Sequence, residues 1–235
     1  MRDVLTGAAL GVTVTAVGTA WTEQAGGRVV IEAREARAVA AALRGALVLA
    51  PAAAVKIGMV GRPDIATAIL EVLLAAPERA VIVDPVLAAS AGGALWSAGS
   101  RELLPLLRRA TLVTPNAVEV AALSGKPSGA AEEAIAAGEA LRAEGVAAVL
   151  VKGGHLDGDA ATVTDFLIDG GGVKRFPRPR VSGPTPRGTG CALSTAIAAA
   201  VAGGATLAEA VEGAGRWLAG RIAGRVRVGD QWFLP

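Results

Sequence analysis

The feature of the sequence that most constrains the fold is a set of short apolar runs that alternate with helical patterns. Residues 80–83 and 146–151 contain only Ala, Val, Ile and Leu. Runs of this kind are typical of strands that are covered on both faces. Helical patterns lie between them, and such alternation favours parallel strands joined by helical crossovers. We therefore expect an α/β fold with a mostly parallel central sheet flanked by helices on both faces.

The other elements follow the same alternation. We predict strands near 12–21, 54–58, 80–83, 111–113, 146–151, 162–168 and 173–176, the last two forming a hairpin, and helices near 2–10, 34–49, 63–76, 100–109, 116–123, 130–144, 191–202 and 206–226. Ligands of such folds bind beyond the carboxyl ends of the strands. The residues that follow each strand are therefore the candidates for a functional site.

Composition excludes several classes of protein. Hydrophobic residues make up 52% of the chain and charged residues 19%, which argues for a buried core and against disorder. A net charge of +2 with 3% aromatic residues gives no sign of a nucleic-acid partner. One cysteine, Cys191, excludes an internal disulfide and a cysteine zinc cluster, and one histidine, His155, excludes a multi-histidine metal site.

Two apolar stretches resemble targeting or membrane segments. Residues 4–20 follow Arg2 as in a signal peptide, but Asp3 lies in the would-be basic region and the Val/Thr alternation predicts a strand. Residues 188–208 carry no charge but are mostly Ala, Gly, Ser and Thr, which favours a buried helix over a membrane span. We expect a cytoplasmic protein that does not associate with membranes.

Polar or glycine-rich clusters follow five predicted strands, at Gln24, at Met59, at Asp84, at 116–119 and at 152–155. Asp84 and Glu119 are carboxylates at neighbouring strand ends, where oxygen ligands suit Mg²⁺ bound to phosphate. Each could equally be a helix cap or a solvated carboxylate, and Asn116 could cap the helix that contains Glu119. Lys152 ends a buried strand just before two glycines, where a phosphate would match its point charge.

The stretch Gly188-Thr189-Gly190-Cys191 opens an Ala-rich helix. The first N–H groups of a helix lack internal partners, and the helix dipole adds positive charge there. The glycines let an anion approach the backbone. We expect the pKa of the Cys191 thiol to be lowered at this position. The alternative is an ordinary turn before a buried helix, with Cys191 as a small core residue.

An anion cradle, a carboxylate pair and a lysine at one edge of a sheet favour phosphoryl transfer. The sequence contains no G-x-x-x-x-G-K-[ST] motif and no G-x-G-x-x-G after the first predicted strand. A P-loop enzyme and a Rossmann dehydrogenase are therefore disfavoured.

Five stretches together carry a resemblance to a known family. They are Lys56-Ile57-Gly58-Met59, Asp84-Pro85-Val86, Thr114-Pro115-Asn116-Ala117-Val118-Glu119, Val151-Lys152-Gly153-Gly154-His155 and Gly188-Thr189-Gly190-Cys191. In order and spacing the chain resembles the hydroxymethylpyrimidine/phosphomethylpyrimidine kinases, thiamin-pathway members of the ribokinase-like superfamily. The resemblance implies a single ribokinase-like domain over residues 1–235 and, by family precedent, a homodimer.

The resemblance also implies ATP- and Mg²⁺-dependent phosphorylation of 4-amino-5-hydroxymethyl-2-methylpyrimidine and then of its monophosphate. The positions carried over are Cys191 as the acceptor of the substrate's proton, Gly188, Thr189 and Gly190 as the cradle for the phosphoryl group, Lys152 for the ATP phosphates, Asn116 and Glu119 for Mg²⁺ and phosphate, and Asp3, Gln24 and Met59 for the pyrimidine side.

The chain also departs from the family pattern. It lacks the strand and Gly-rich loop that precede the acidic residue aligned with Asp3, so we expect an amino-terminally truncated domain in which Met1 is an internal methionine of the natural protein. Arg187 stands where histidine is usual, and Ala89 where lysine is common. A pyridoxal or hydroxyethylthiazole kinase of the same superfamily and a non-catalytic pyrimidine sensor stay open as alternatives.

Overall fold

The computed structural model describes residues 1–25, 28–50, 52–89, 92–156 and 161–235. The helices in these ranges are α1 (Arg2–Ala9), α2 (Ala36–Leu49), α3 (Pro63–Leu74), α4 (Leu104–Arg109), α5 (Ala117–Ser124), α6 (Ala131–Ala143), α7 (Thr189–Ala202) and α8 (Leu207–Ala223). The strands are β1 (Ala20–Ala25), β2 (Arg28–Ala33), β3 (Ala54–Ile57), β4 (Ala80–Val83), β5 (Leu112–Val113), β6 (Val149–Val151), β7 (Thr162–Asp169), β8 (Gly172–Pro179), β9 (Val226–Val228) and β10 (Gln231–Phe233). Short 3₁₀ helices span Ser100–Leu103 and Gly153–His155.

Six strands form the central sheet, in the order β3-β4-β5-β6-β7-β8. β3 to β6 are parallel, whereas β7 and β8 run antiparallel to their neighbours. Ile57 is paired with Val83, Val83 with Val113 and Val113 with Val149. The carboxyl ends of the four parallel strands therefore lie along one edge, which confirms the predicted α/β sheet.

Helices cover both faces of this sheet, and the four central strands, β4 to β7, each contribute to two cores. Val81, Val83 and Val113 belong to the core under α2 to α6. Ile82 and Leu112 belong to the core under α7 and α8. Successive side chains of a strand point to opposite faces. Both faces are covered, so these strands have the continuous apolar runs seen in the sequence.

Helix α7 is buried over its central turns, which explains why it carries no charge. Its residues from Ala192 to Ala198 are all buried. Alanine is the strongest helix former and lets the helix approach the sheet closely. No helix in the described ranges is long and apolar enough to cross a membrane.

The predicted strand at 12–21 is wrong for most of its length. Residues 12–18 form no strand, and the segment instead folds back on α1, where the Val12 N–H donates to the Gly7 carbonyl at 2.9 Å. An alternating Val/Thr pattern becomes a strand only when a neighbour supplies the ladder of hydrogen bonds. β1 begins at Ala20 and pairs with β2 in a hairpin outside the central sheet. A second separate hairpin, β9–β10, was not predicted.

Candidate active site

Three polar side chains lie at the carboxyl edge of the parallel strands on the face covered by α7. Ile82 and Leu112 pack against the α7–α8 layer. Side chains two residues apart along a strand share a face, so Asp84 and Thr114 point to the same layer just beyond β4 and β5. Lys152 has this relation to Leu150 of β6, which belongs to the same core. The periodicity of the strands thus brings the polar residues together.

The centre of the site is an ion pair between Asp84 and Lys152. Lys152 Nζ donates to Asp84 Oδ1 at 2.8 Å, and the Asp84 side chain is only 2% exposed. Thr114 Oγ1 and Ser194 Oγ lie 3.3 and 3.4 Å from the two oxygens of this carboxylate. Although burial alone would raise it, the ammonium groups of Lys152 and Lys56 hold the pKa of Asp84 below its usual value. Asp84 is therefore ionised at neutral pH.

Glu119 is the second carboxylate, and it also belongs to a helix cap. Asn116 is the N-cap of α5: its Oδ1 accepts from the Glu119 N–H at 2.9 Å, while Glu119 Oε2 accepts from the Asn116 N–H at 2.7 Å. This reciprocal arrangement is a capping box. Glu119 Oε2 lies 3.7 Å from Lys152 Nζ. Burial raises the pKa of Glu119 because Lys152 offsets the desolvation only in part, and the nearby Asp84 charge adds to the rise.

The amino terminus of α7 faces the Asp84–Lys152 pair. Gly188 has a φ of 80° and precedes Thr189, and no side chain caps this helix. Gly188 needs to be glycine because its backbone is left-handed and Arg2 Nε would lie 3.1 Å from a Cβ there. A Cβ on Gly190 would lie 3.3 Å from Lys152 Nζ. The glycine turn therefore keeps open the space between the helix N–H groups and the ammonium.

The prediction that the pKa of the Cys191 thiol is lowered is wrong. The residue is half-buried on the first turn of α7, as predicted. However, burial raises the pKa of its thiol, and the negative charges of Asp84 and Asp3 add to the rise. The ammonium of Lys56 opposes these effects without overcoming them. The prediction considered the helix dipole but not burial, and burial is the largest influence on the pKa of this thiol.

A second ion pair lies beside the same helix. Lys56 Nζ donates to both carboxylate oxygens of Asp3, at 2.9 and 3.0 Å, and Thr195 Oγ1 donates to Asp3 Oδ1 at 3.0 Å. Thr195 is four residues after Cys191, so both lie on one face of α7. Although burial alone would lower it, the charges of Cys191 and Asp3 raise the pKa of Lys56. Lys56 of β3 therefore holds Asp3, which we predicted for the pyrimidine side, next to the first turn of α7.

Of the three residues predicted for the pyrimidine side, Asp3 alone makes a described side-chain contact with the charged network. Met59 follows β3, is half-buried, and its carbonyl accepts from Thr19 Oγ1 at 2.7 Å. Gln24 lies within the β1–β2 hairpin, paired with Val29, rather than after a strand of the central sheet. Its side chain, like that of His155, lies outside what the structure describes.

Sequence reasoning left four of these network residues without a role: Lys56, Thr114, Ser194 and Thr195. Lys56 had a usable signal, because a lysine inside the short strand Ala54–Ile57 must find a partner when that strand is covered on both faces. Ser194 and Thr195 had none, since hydroxyls on an Ala-rich helix commonly bond to their own backbone. Ser194 does so as well, at 3.0 Å to the Gly190 carbonyl.

The carboxylates are compatible with Mg²⁺ bound to a nucleotide, but not with a protein-only metal cage. Within the described ranges no group of three or more His, Cys, Asp or Glu side chains could hold a metal ion. Mg²⁺ typically takes one or two carboxylates and completes its shell with waters and phosphate oxygens. Asp84 and Glu119 fit that pattern. The pKa of Glu119 is raised because the carboxylate is buried and the Lys152 ammonium offsets that burial only in part.

Comparison with known proteins identifies the family that this chain matches. The model of the phosphomethylpyrimidine kinase family matches residues 1–234. A hydroxymethylpyrimidine/phosphomethylpyrimidine kinase of Rhizobium meliloti is 41% identical over 237 residues, which cover 97% of this chain and 87% of the relative. The enzyme of the same name from Salmonella typhimurium is 42% identical over 171 residues, covering 72% of this chain and 64% of that protein.

Solved structures resemble the whole fold. Pyridoxal kinase from Staphylococcus aureus in complex with AMP-PCP has a TM-score of 0.88 at 26% identity, covering 99% of this chain and 86% of that one. Phosphomethylpyrimidine kinase from Clostridium difficile has a TM-score of 0.75 at 29% identity, covering 92% and 89%. The fold is therefore ribokinase-like, as expected from the five stretches. Given the match of the family model along nearly its whole length, this chain belongs to the phosphomethylpyrimidine kinase family.

Proposed function

We propose that the chain transfers the terminal phosphoryl group of ATP to the hydroxymethyl oxygen of 4-amino-5-hydroxymethyl-2-methylpyrimidine, and then to the phosphate of the resulting monophosphate, in thiamin biosynthesis. The observation that carries the proposal is the gap between the α7 amino terminus and Lys152. Three backbone N–H groups, at Thr189, Gly190 and Cys191, lie on the first turn opposite the ammonium. That gap offers positive charge from two sides to a phosphoryl group in transfer.

In the first reaction the substrate oxygen attacks the γ-phosphorus. A new P–O bond forms, the bond to the β–γ bridging oxygen breaks, and ADP leaves with that electron pair. Lys152 and the α7 N–H groups stabilise the charge on the transferred group. Mg²⁺, held near Asp84 and Glu119 with the nucleotide, would neutralise phosphate charge. In this proposal the Cys191 thiolate accepts the proton of the substrate hydroxyl, while Lys56 lies beside it as a compensating charge.

The raised pKa of Cys191 has a direct consequence for this mechanism. A thiol with a raised pKa is mostly protonated at neutral pH, and only its thiolate can accept the proton. We expect kcat to increase with pH above neutrality in the wild type, as the thiolate fraction grows. In Cys191→Ala that increase should disappear and most of the activity with it. A variant with an unchanged rate and pH profile would remove Cys191 from the mechanism.

The test of function is an ATP-dependent kinase assay with four acceptors: the hydroxymethylpyrimidine, its monophosphate, pyridoxal and hydroxyethylthiazole. Preferred turnover of the two pyrimidines is the expected result. Preferred turnover of pyridoxal would favour the second candidate, for which the likeness to the Staphylococcus aureus pyridoxal kinase is the supporting observation. Pyrimidine binding without turnover of any acceptor would indicate a sensor.

Two further parts of the proposal concern the context of the enzyme. We propose that it acts in the cytoplasm and as a homodimer, in line with family precedent. Light scattering after size-exclusion chromatography checks the second part. A mass close to twice that of the 23.3 kDa chain is expected, and a monomeric mass at assay concentration would contradict it.

A further inference from the structure

A buried carboxylate behind the candidate ATP site takes no part in the mechanism above. Asp165 lies on β7 and is 1% exposed. Its Oδ1 accepts a hydrogen bond of 2.8 Å from the N–H of Gly153, the residue that follows Lys152. Both residues adjoin the strand pair β6–β7, in which Val151 is paired with Phe166. The carboxylate therefore bonds to the backbone of the turn that carries the lysine.

The turn is held closely against β7. A Cβ on Gly153 would overlap the carbonyl oxygen of Thr164, so only glycine permits this approach. The next residue is also tied to the β7–β8 hairpin, because Arg180 Nη1 donates to the Gly154 carbonyl at 3.2 Å. Two successive residues after Lys152 are thus fixed by the same hairpin.

Arg178 supplies the counter-charge. Its Nη1 donates to the other oxygen of Asp165, Oδ2, at 2.6 Å, and its side chain is 20% exposed against 2% for the aspartate. The guanidinium runs over Gly215 of α8, where a Cβ would lie 3.5 Å from Nη1. Both oxygens of Asp165 are therefore hydrogen-bonded, Oδ1 to the Gly153 N–H and Oδ2 to Arg178. A buried ion pair is tolerated only when its atoms are paired in this way.

An ion pair in a core is weak evidence for stability, because an apolar pair of similar size is often at least as stable. Its placement here is better explained by geometry. Lys152 must hold one position between Asp84 and Glu119, at 2.8 and 3.7 Å, to face the α7 turn. A backbone anchor one residue further on restricts where the lysine Cα can lie.

We propose that Asp165, with Arg178 as its counter-ion, is a positioning residue for Lys152 and thereby for binding of the ATP phosphates. This inference rests on the proposed function, since it takes Lys152 as a phosphate ligand. Asp165 touches neither substrate and acts only through the Gly153 N–H.

The experiment compares wild type, Asp165→Asn and Arg178→Lys. Asparagine keeps the size of the side chain but has one acceptor oxygen, which the charged Arg178 takes, so the Gly153 N–H faces the N–H₂ group and loses its acceptor. We expect KM for ATP, and the dissociation constant of AMP-PCP measured by calorimetry, to rise about tenfold in Asp165→Asn. KM for the pyrimidine should stay within about twofold, because the residues predicted for the pyrimidine side, Asp3, Gln24 and Met59, lie on α1, on β1 and after β3. Arg178→Lys keeps the charge and should show a smaller rise.

Hydrogen exchange at the Gly153 amide gives a readout that does not depend on activity. It should be faster in Asp165→Asn, while the amides of β4 keep their protection. Arg175→Met is the matched control. Arg175 is an exposed arginine on β8, the strand that also carries Arg178, and its guanidinium lies over the Phe166 ring at 5.8 Å. This variant should leave KM for ATP unchanged.

The outcomes separate the inference from the function on which it rests. Wild type that neither binds AMP-PCP nor transfers phosphate would refute the proposed function. An active wild type with an unchanged KM for ATP in a folded Asp165→Asn would refute the inference alone, as would equal losses for both substrates. If Asp165→Asn does not fold, as its melting curve would reveal, Arg178→Lys decides: unchanged KM for ATP and unchanged Gly153 exchange would overturn the positioning role.

Discussion

Replacing Lys152 by methionine is the sharpest test of the charge network. At an effective dielectric constant of about 20, a pair at the observed 2.8 Å is worth roughly 6 kcal/mol before desolvation is counted. Desolvation of the two ions offsets much of this attraction. The variant, however, leaves Asp84 buried without its paired ammonium, and the hydroxyl contacts that remain, from Thr114 and Ser194, are long. Breaking a buried pair in this way costs about 3 kcal/mol or more of folding stability.

The loss of folding stability in Lys152→Met should depend on pH, and the direction of that dependence follows from the pKa of Asp84. The folded pKa of Asp84 is lowered, so its contribution to stability is present above the unfolded pKa and is lost as pH falls through the folded value. In Lys152→Met the pKa of Asp84 rises and this contribution shrinks. The destabilisation should therefore be largest at neutral pH and smaller under acid conditions.

Urea unfolding followed by tryptophan fluorescence, to which the buried Trp96 contributes, measures both effects, at about pH 7 and about pH 4.5. Lys126→Met is the matched control, since Lys126 is exposed and should change stability by less than about 0.5 kcal/mol. Adding Asp84→Asn to Lys152→Met should recover part of the loss. A loss below about 1 kcal/mol at neutral pH, or one independent of pH, would refute the buried-pair reasoning.

Three further predictions concern the α7 turn and the α5 cap. Gly190→Ala places a methyl group 3.3 Å from Lys152 Nζ and should lower kcat/KM by about 100-fold without unfolding the protein, whereas Gly213→Ala, which meets no atom, should not lower it. Alkylation of Cys191 by iodoacetamide should show an apparent pKa above that of a free thiol, because burial raises it; a lower value would contradict the desolvation argument. Glu119→Gln keeps the capping box and should melt like the wild type, whereas Glu119→Ala should lose about 1 kcal/mol; equal melting of both would refute the cap.

Most of the fold could be predicted because its strands are buried on both faces. The runs 80–83 and 146–151 are apolar whatever the order of the strands, since two helical layers cover them. Residues 12–17 show the limit of this reasoning. Their alternation has the period of a strand, but a strand also needs a neighbour at hydrogen-bonding distance, and within the described ranges that segment packs on α1 instead.

The sequence predicted which residues belong to the candidate site better than it predicted which of them contact each other. Asp84, Glu119 and Lys152 could be selected because each follows a strand, and parallel strands bring their carboxyl ends together. The partner of Asp3 could not be selected in this way. Lys56 lies 53 residues away along the chain, and only the packing of α1 beside β3 and α7 brings the two charges to 2.9 Å. The same holds for Asp165, whose role depends on the register of β7 against β6.

By itself, the sequence determined the α/β alternation, the glycine turn before α7 and the polar residues at the strand ends, because these depend on local periodicity and on residue type. Only the tertiary structure decided the electrostatic character of the site. Whether Cys191 has a raised or lowered pKa depends on how much water the fold removes from its sulfur and on which charges lie nearby. Glu119 and Asp84 have the same chemistry in the sequence, yet their pKa values shift in opposite directions. Asp84 lies closer to Lys152 and also feels the charge of Lys56, whereas Glu119 lies farther from Lys152 and feels the negative charge of Asp84.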